Sequence, residues 1–262
     1  MVNESHTIMD NVFISRGYSE IFRVNFKDEL FKIQNLIYSL TKDYIEDHDP
    51  TISIEKRLNL NFKQIPSSEL WSDIMKKVNS SEELPNLINS DAIKTSFKKI
   101  FDNPEPFDIS AFRARLPLQK RVLYNWHQDE GTWFLSKNKK HIKKFPATLW
   151  LSINGANEKD SIQLLKNSHL TKLHDHSYVD GQGFFNAKNI SNATRENIFT
   201  LTLKPSECVI FHPLTLHRSV PSDNKILRPR YTVDIRYFDE AFKPKFNIDL
   251  KLKIKKFIKK IF

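Results

Sequence analysis

The chemistry this chain can offer is concentrated around Trp126-His127-Gln128-Asp129, where an imidazole and a carboxylate stand two residues apart, and around His217 much later. Two neutral imidazoles and a carboxylate suit Fe(II) or another borderline divalent metal. Gathered on one face of the ion, they leave positions for a chelating cosubstrate and dioxygen. Arg228 and Arg230 follow the second histidine, and a guanidinium inside a β-barrel can fork onto a carboxylate. A lone His-x-Asp is common by chance, so the pair gains its weight from His217 and the arginines. The competing reading of His127 and Asp129 is a surface strand carrying a satisfied polar pair.

Other side chains are weaker candidates. Arg113 and Arg115 alternate on one face ahead of the motif and either bind an anionic cosubstrate or substrate, or form salt bridges. His212, followed by Pro213, lacks the downstream serine and arginine spacing of His217 and reads as a structural neighbour. His174-Asp175-His176 falls in an expected loop over 173–183 and reads as solvated, with substrate contact as the alternative. Lys137, Lys139, Lys140, Lys143 and Lys144 read as a solvated run, with attraction of an acidic substrate as the other possibility. Cys208 is the sole cysteine, which excludes an internal disulfide and a thiolate zinc site. Its setting in Cys208-Val209-Ile210-Phe211 is that of a small buried hydrophobe rather than a nucleophile.

Positioning these residues requires strands. Short runs at 112–116, 121–126, 148–153, 161–165, 198–203, 207–211 and 231–237 are rich in β-branched and aromatic residues, with polar or Pro-containing breaks between them. Such a pattern predicts a β-sandwich or jelly roll. His127 and Asp129, in or just after the run at 121–126, would leave the same face and converge on one ion.

Residues 1–106 read as helices: one stripe holds Leu30, Ile33, Ile37, Leu40 and Tyr44, a second Leu70, Trp71, Ile74 and Val78, a third Ile93, Phe97, Ile100 and Phe101. The expectation is a single structural domain in three regions: helices over 1–106 packed on a β core over 107–240, then a basic amphipathic tail over 241–262.

The net charge of +10 invites a nucleic-acid reading, but residues 241–262 hold eight Lys against one Asp, a net +7. A basic tail is not a basic groove, so no nucleic-acid partner is expected. The tail reads as a terminal helix docked on the protein; peripheral membrane contact with anionic lipid is the lesser alternative. With 5 Gly and no phosphate-loop or dinucleotide fingerprint, nucleotide chemistry is disfavoured. No apolar run approaches a membrane span of about 18 residues and no signal segment is evident, which predicts a cytoplasmic protein.

Taken together, Trp126-His-Gln-Asp129, Thr148-Leu-Trp150-Leu, Lys166-Asn-Ser-His169, Phe211-His-Pro-Leu-Thr-Leu-His217 and Arg228-Pro-Arg230 through Arg236-Tyr237 resemble the phytanoyl-CoA dioxygenase family of Fe(II)/2-oxoglutarate oxygenases. The resemblance spans roughly 107–240. It implies an α+β protein whose mainly β core is a cupin-like double-stranded β-helix, or jelly roll. It also implies His127, Asp129 and His217 as iron ligands, and Arg230 on the distal carboxylate of 2-oxoglutarate, aided by Ser219. Trp150 matches a position beside the cosubstrate, and Trp133 resembles a site-lining residue of ectoine hydroxylases. The loop before Arg228 is longer than the family's, so Arg228 competes with Arg230. The implied reaction is hydroxylation of a small molecule by O2, releasing succinate and CO2, since related halogenases lack a carboxylate at the Asp129 position. The alternative is a catalytically silent cupin-like module that binds a metal or small anion.

Overall fold

Period-two alternation along the central strands sorts this chain into layers. A computed structural model describes residues 11–46, 51–117, 124–135, 145–171, 173–179, 184–190, 196–221 and 228–241, the side chains at 133–135, 179 and 184–185 excepted. The lysine run at 137–144 and the basic tail beyond 241 lie outside these residues. The strands are β1 (Phe22–Arg23), β2 (Glu105–Pro106), β3 (Ala111–Arg115), β4 (Ala147–Ser152), β5 (Ile162–Leu165), β6 (His176–Val179), β7 (Phe184–Ala187), β8 (Ile198–Thr200), β9 (Glu207–Phe211), β10 (His217–Ser219) and β11 (Arg230–Phe238).

A six-stranded sheet runs β1-β9-β4-β11-β2, with β3 also paired to β11; a three-stranded sheet runs β10-β5-β8, and β6 and β7 form a hairpin. In the larger sheet, Leu149, Leu151, Cys208, Ile210, Tyr231, Val233, Ile235 and Tyr237 share one hydrophobic cluster with helical residues such as Ile33, Ile37, Trp71, Val78 and Phe97. The alternate residues Trp150, Val209 and Phe211 pack against Ile162 and Leu164 of the smaller sheet, together with Leu201 and Leu203. Side chains of a strand leave on opposite faces in turn, so one sheet serves two cores. The result is the α+β jelly roll expected, with helices laid on the outer face of the larger sheet. Cys208 is fully buried and its thiol is pushed up by burial, consistent with a packing role.

The helices are α1 (Glu29–Thr41), α2 (Ser68–Asn79), α3 (Glu83–Ile88), α4 (Asp91–Phe97) and α5 (Asp129–Leu135), with a single turn at Ile54–Arg57. Ser67 and Ser90 start α2 and α4 by accepting hydrogen bonds from the Leu70 and Ile93 N–H groups. Gln34 of α1 is buried and donates to the Ile153 carbonyl, tying the helical layer to the end of β4. Trp71, Ile74 and Val78 face the core as expected, but Leu70 is 38% exposed. Neighbours on an α-helix point about 100° apart, so Leu70 cannot share the stripe that Trp71 sets. Helix α3 was not apparent in the stripe pattern: it is short, and Pro85 sits in its first turn, where the missing N–H costs nothing.

Differences among the strands bear on the site. The run expected at 121–126 falls partly outside the described residues, and the chain at His127 makes a single antiparallel bridge with His217 instead of a ladder. In the run at 198–203 strand β8 ends at Thr200; the Leu201 N–H still donates to the Ile162 carbonyl at 3.1 Å, and Leu203 bridges Ala156. The expected loop at 173–183 contains β6, paired with β7 from Val179↔Phe184 to His176↔Ala187.

Candidate metal centre

His127 and His217 are brought side by side by their backbones. The two residues exchange N–H···O=C hydrogen bonds of 3.0 Å in each direction, and their ring centroids are 4.1 Å apart. His217 opens β10, which pairs with β5 at Leu164. Asp129 reaches the same place by another route: the chain turns after the bridge and Asp129 becomes the first residue of α5. The convergence thus comes from a bridge followed by a helix start, not from two steps along one continuous strand.

One donor atom from each of His127, Asp129 and His217 lies within 4.8 Å of the others, and His217 Nε2 is 3.7 Å from Asp129 Oδ1. An ion about 2.1 Å from each ligand would hold neighbouring donors about 3 Å apart, so closing this set needs only small side-chain rotations. Both imidazoles are oriented for it. His127 Nδ1 donates to the Asn125 carbonyl at 2.7 Å and His217 Nδ1 to the Thr215 carbonyl at 3.0 Å. A carbonyl can only accept, so each Nδ1 carries a proton and Nε2 is the nitrogen left to ligate an ion.

At His127 and Asp129 electrostatics favour the ligating forms. Burial, then the neighbouring His217, lowers the pKa of His127 to about 3, which keeps its ring neutral. Burial pushes the Asp129 carboxyl up, but Arg236, His217, His127 and the Thr148 hydroxyl together bring it down to about 2. Neutral imidazoles and an ionised carboxylate are the forms that ligate a divalent cation.

The inner face of β11 carries Arg230, Thr232, Asp234 and Arg236 in alternating positions. Arg230 is 7% exposed, its guanidinium 5.3 Å over the ring of the buried Trp150, and it donates to Thr232 Oγ1 at 2.8 Å. Its Nε is buried with no hydrogen-bond partner, and no carboxylate forms an ion pair with it among the described residues. Burial lowers its pKa to about 10, leaving it cationic at neutral pH. A buried guanidinium of this kind calls for an anion.

Arg228, by contrast, is spent: it donates to the side chain of Asn59 and pairs with the fully buried Asp160 at 2.9 Å. Most of the longer loop preceding it, 222–227, lies outside the described residues. Ser219 is buried in β10, its N–H on the Tyr124 carbonyl at 2.8 Å. Trp133 lies on α5, and its side chain falls outside the described residues. Arg115 stands opposite Arg230 in the β3–β11 register and donates to the Val220 carbonyl at 3.1 Å. Arg113 pairs with Asp234 at 3.3 Å, the salt-bridge alternative of the sequence reading.

Several residues here have no distinctive sequence signature. Gln128, inside the motif and wholly buried, donates to the Leu214 carbonyl at 2.8 Å and accepts from the His174 N–H at 2.8 Å. Lying between His127 and Asp129, it joins that segment to the one before His217 and to the stretch that enters β6. His176 is not a solvated loop residue: its Nε2 accepts from the Gln128 N–H at 3.1 Å, and burial lowers its pKa to about 4. Gly131 makes room for that ring, since a Cβ there would lie 2.2 Å from His176 Cε1. One of only 5 glycines, two residues after a candidate ligand, is the signal that a close approach is needed. His212 is structural, as expected, with Nδ1 accepting from the Leu214 N–H at 3.1 Å. Burial, then Asp129, raises the carboxyl of Glu130 to about 8, so this neighbour is uncharged at neutral pH.

The phytanoyl-CoA dioxygenase (PhyH) family model matches residues 60–229, more than half of the chain and a span that includes all three ligand candidates. The chain belongs to that family. None of the curated protein sequences matches it. Among solved structures it is similar to EvdO2 from Micromonospora carbonacea var. aurantiaca complexed with 2-oxoglutarate, at 14% identity and TM-score 0.57, covering 90% of this chain and 91% of that one. It is likewise similar to the epimerase SnoN in complex with Fe3+, alpha ketoglutarate and nogalamycin RO, at 15% identity and TM-score 0.53, covering 92% and 87%. The apoform of EctD from S. alaskensis matches at 15% identity and TM-score 0.57, covering 91% and 79%. At these identities the likeness is one of fold. Among the described residues no helix is long and apolar enough to cross a membrane.

Proposed function

We propose that this protein is an Fe(II)- and 2-oxoglutarate-dependent oxygenase that hydroxylates a small-molecule substrate, releasing succinate and CO2. The observation that carries the reading is the convergence of His127, Asp129 and His217, with both imidazoles held in the ligating tautomer by backbone carbonyls. The donor set of two nitrogens and one carboxylate oxygen fits Fe(II), and the unpaired buried guanidinium of Arg230 fits the distal carboxylate of a keto-diacid. Family membership supports both assignments.

In this reading His127 and His217 hold the ion through Nε2, and Asp129 through a carboxylate oxygen. Arg230 orients the cosubstrate from the far end, Trp150 walls its path, and Ser219 adds a polar contact. Arg230 is preferred to Arg228 because the latter already neutralises Asp160. When bound, iron and 2-oxoglutarate supply the oxidising power, reducing dioxygen as the keto acid is decarboxylated. The chain's own task is orientation and the exclusion of water from a buried site.

Retention of the Asp129 carboxylate supports hydroxylation over halogenation. Because a fold neighbour is an epimerase, the product itself must be identified. Anaerobic addition of Fe(II) and 2-oxoglutarate is expected to give a weak visible charge-transfer band, absent in His127→Ala. A metabolite-library screen for succinate release, with mass-spectrometric detection of an added oxygen, then tests turnover. Absence of both band and succinate would overturn the proposal.

A further inference from the structure

We infer that Arg236 is a positioning residue which, together with Thr148, occupies one oxygen of Asp129 and leaves the other to the metal. The inference rests on the metal-site reading above. Thr148 and Arg236 are directly opposed in the β4–β11 register and so project from the same face of adjacent strands. Both reach Asp129 Oδ2: the Thr148 hydroxyl donates to it at 2.6 Å, and a guanidinium nitrogen of Arg236 lies 3.4 Å away. The other oxygen, Oδ1, is the one that lies 3.7 Å from His217 Nε2.

The terminal torsion of an aspartate is soft, so an unrestrained carboxylate can turn either oxygen, or both, towards a cation. Two donors on Oδ2 remove that freedom. The guanidinium itself is anchored: it donates to the Ile109 carbonyl at 2.8 Å and lies 3.7 Å from Asp234, which also pairs with Arg113 at 3.3 Å. A ladder of alternating charge, Arg113–Asp234–Arg236–Asp129, therefore runs across β3 and β11 to the ligand. Ligation through Oδ1 alone keeps open a coordination position that a carboxylate bound through both oxygens would take. A chelating cosubstrate and dioxygen need that position. The alternative is that Arg236 only completes a buried ion network and has no influence on the metal.

The test uses Co(II) titrated into the full-length metal-free protein, read by calorimetry and by the visible d–d spectrum. Thr148→Val removes one donor at nearly constant volume; Arg236→Gln removes the other, and Arg236→Lys keeps the charge. Melting in EDTA shows whether each variant folds, and His217→Ala serves as the ligand control. Thr148→Val and Arg236→Gln are expected to weaken Co(II) binding by about tenfold or more and to change the d–d spectrum, with Arg236→Lys recovering part of the affinity. Wild-type affinity and spectrum in folded Thr148→Val and Arg236→Gln overturn the inference. If Arg236→Gln does not fold, Thr148→Val decides alone. Failure of the wild type to bind Co(II), or undiminished binding by His217→Ala, instead overturns the metal-site reading and this inference with it.

Discussion

Arg230→Gln is the substitution that most directly tests how the cosubstrate is held. Arg230 is 7% exposed and has no carboxylate ion-pair partner among the described residues, while the nearby Asp160 is already taken by Arg228 at 2.9 Å. The distal carboxylate of 2-oxoglutarate would therefore be its ion partner. Removing one member of a buried charge pair typically costs about 3–5 kcal/mol, because the survivor is left buried and unpaired. Arg115, opposite Arg230 in register, leaves some positive potential behind, so the lower end applies. A loss of about 3 kcal/mol corresponds to a Kd for 2-oxoglutarate raised by about 150-fold.

The assay is anaerobic titration of 2-oxoglutarate into the Fe(II)-loaded protein, following the charge-transfer band, with metal affinity measured separately. Arg228→Gln supplies the contrast. It removes the charge partner of the buried Asp160 carboxylate, leaving it the Asn157 N–H at 2.8 Å, and should cost about 3 kcal/mol of folding stability. The same variant should change the Kd for 2-oxoglutarate by less than about threefold, under 1 kcal/mol. A reversed pattern, with Arg228→Gln abolishing cosubstrate binding and Arg230→Gln leaving it intact, would refute the assignment of the anion site.

Other perturbations probe the scaffold around the ligands. Gly131→Ala forces a Cβ to within 2.2 Å of a His176 ring whose two nitrogens are both hydrogen-bonded. Overpacking of this kind costs about 1–3 kcal/mol, visible as a lower Tm of the metal-free protein; an unchanged Tm would show that the hairpin yields freely. Gln128→Leu strands the Leu214 carbonyl and the His174 N–H, at about 1–3 kcal/mol in urea unfolding, and should also weaken metal binding. Burial lowers the pKa of His212 from 6.5 to about 3, so the unfolded chain takes up a proton that the folded one refuses. The stability this contributes is complete above pH 6.5 and lost as pH falls towards 3. Urea midpoints measured across that range should fall with pH, and less steeply in His212→Gln; identical slopes would contradict the assignment.

Much of the architecture is legible from local periodicity. The run at 207–211 coincides with β9, and the runs at 148–153 and 231–237 differ from β4 and β11 by no more than a residue at either end. β9 separates two apolar clusters, whereas β4 and β11 set an apolar outer face against an inner face that carries polar or charged residues, and their side chains record that alternation directly. The pattern weakens where pairing is slight. His127 joins its partner through a single bridge, and β6 belongs to an isolated two-stranded hairpin, so neither leaves a ladder's imprint on its neighbours. Helix α3 is too short to display a stripe.

At the site, residue chemistry alone marks His127, Asp129 and His217, because few side chains can bind a cation and fewer recur in this company. With the family resemblance added, the expected holder of the distal carboxylate narrows to Arg228 or Arg230. Choosing between those two is a tertiary matter: the preference for Arg230 rests on where Asn59 and Asp160 come to lie. So is the environment of Asp129, whose contacts Thr148 and Arg236 are separated from it by 19 and 107 positions in the chain. Side-chain type is a property of one position, whereas strand register is a property of two segments folded together. Only the assembled sheets determine which buried charge meets which.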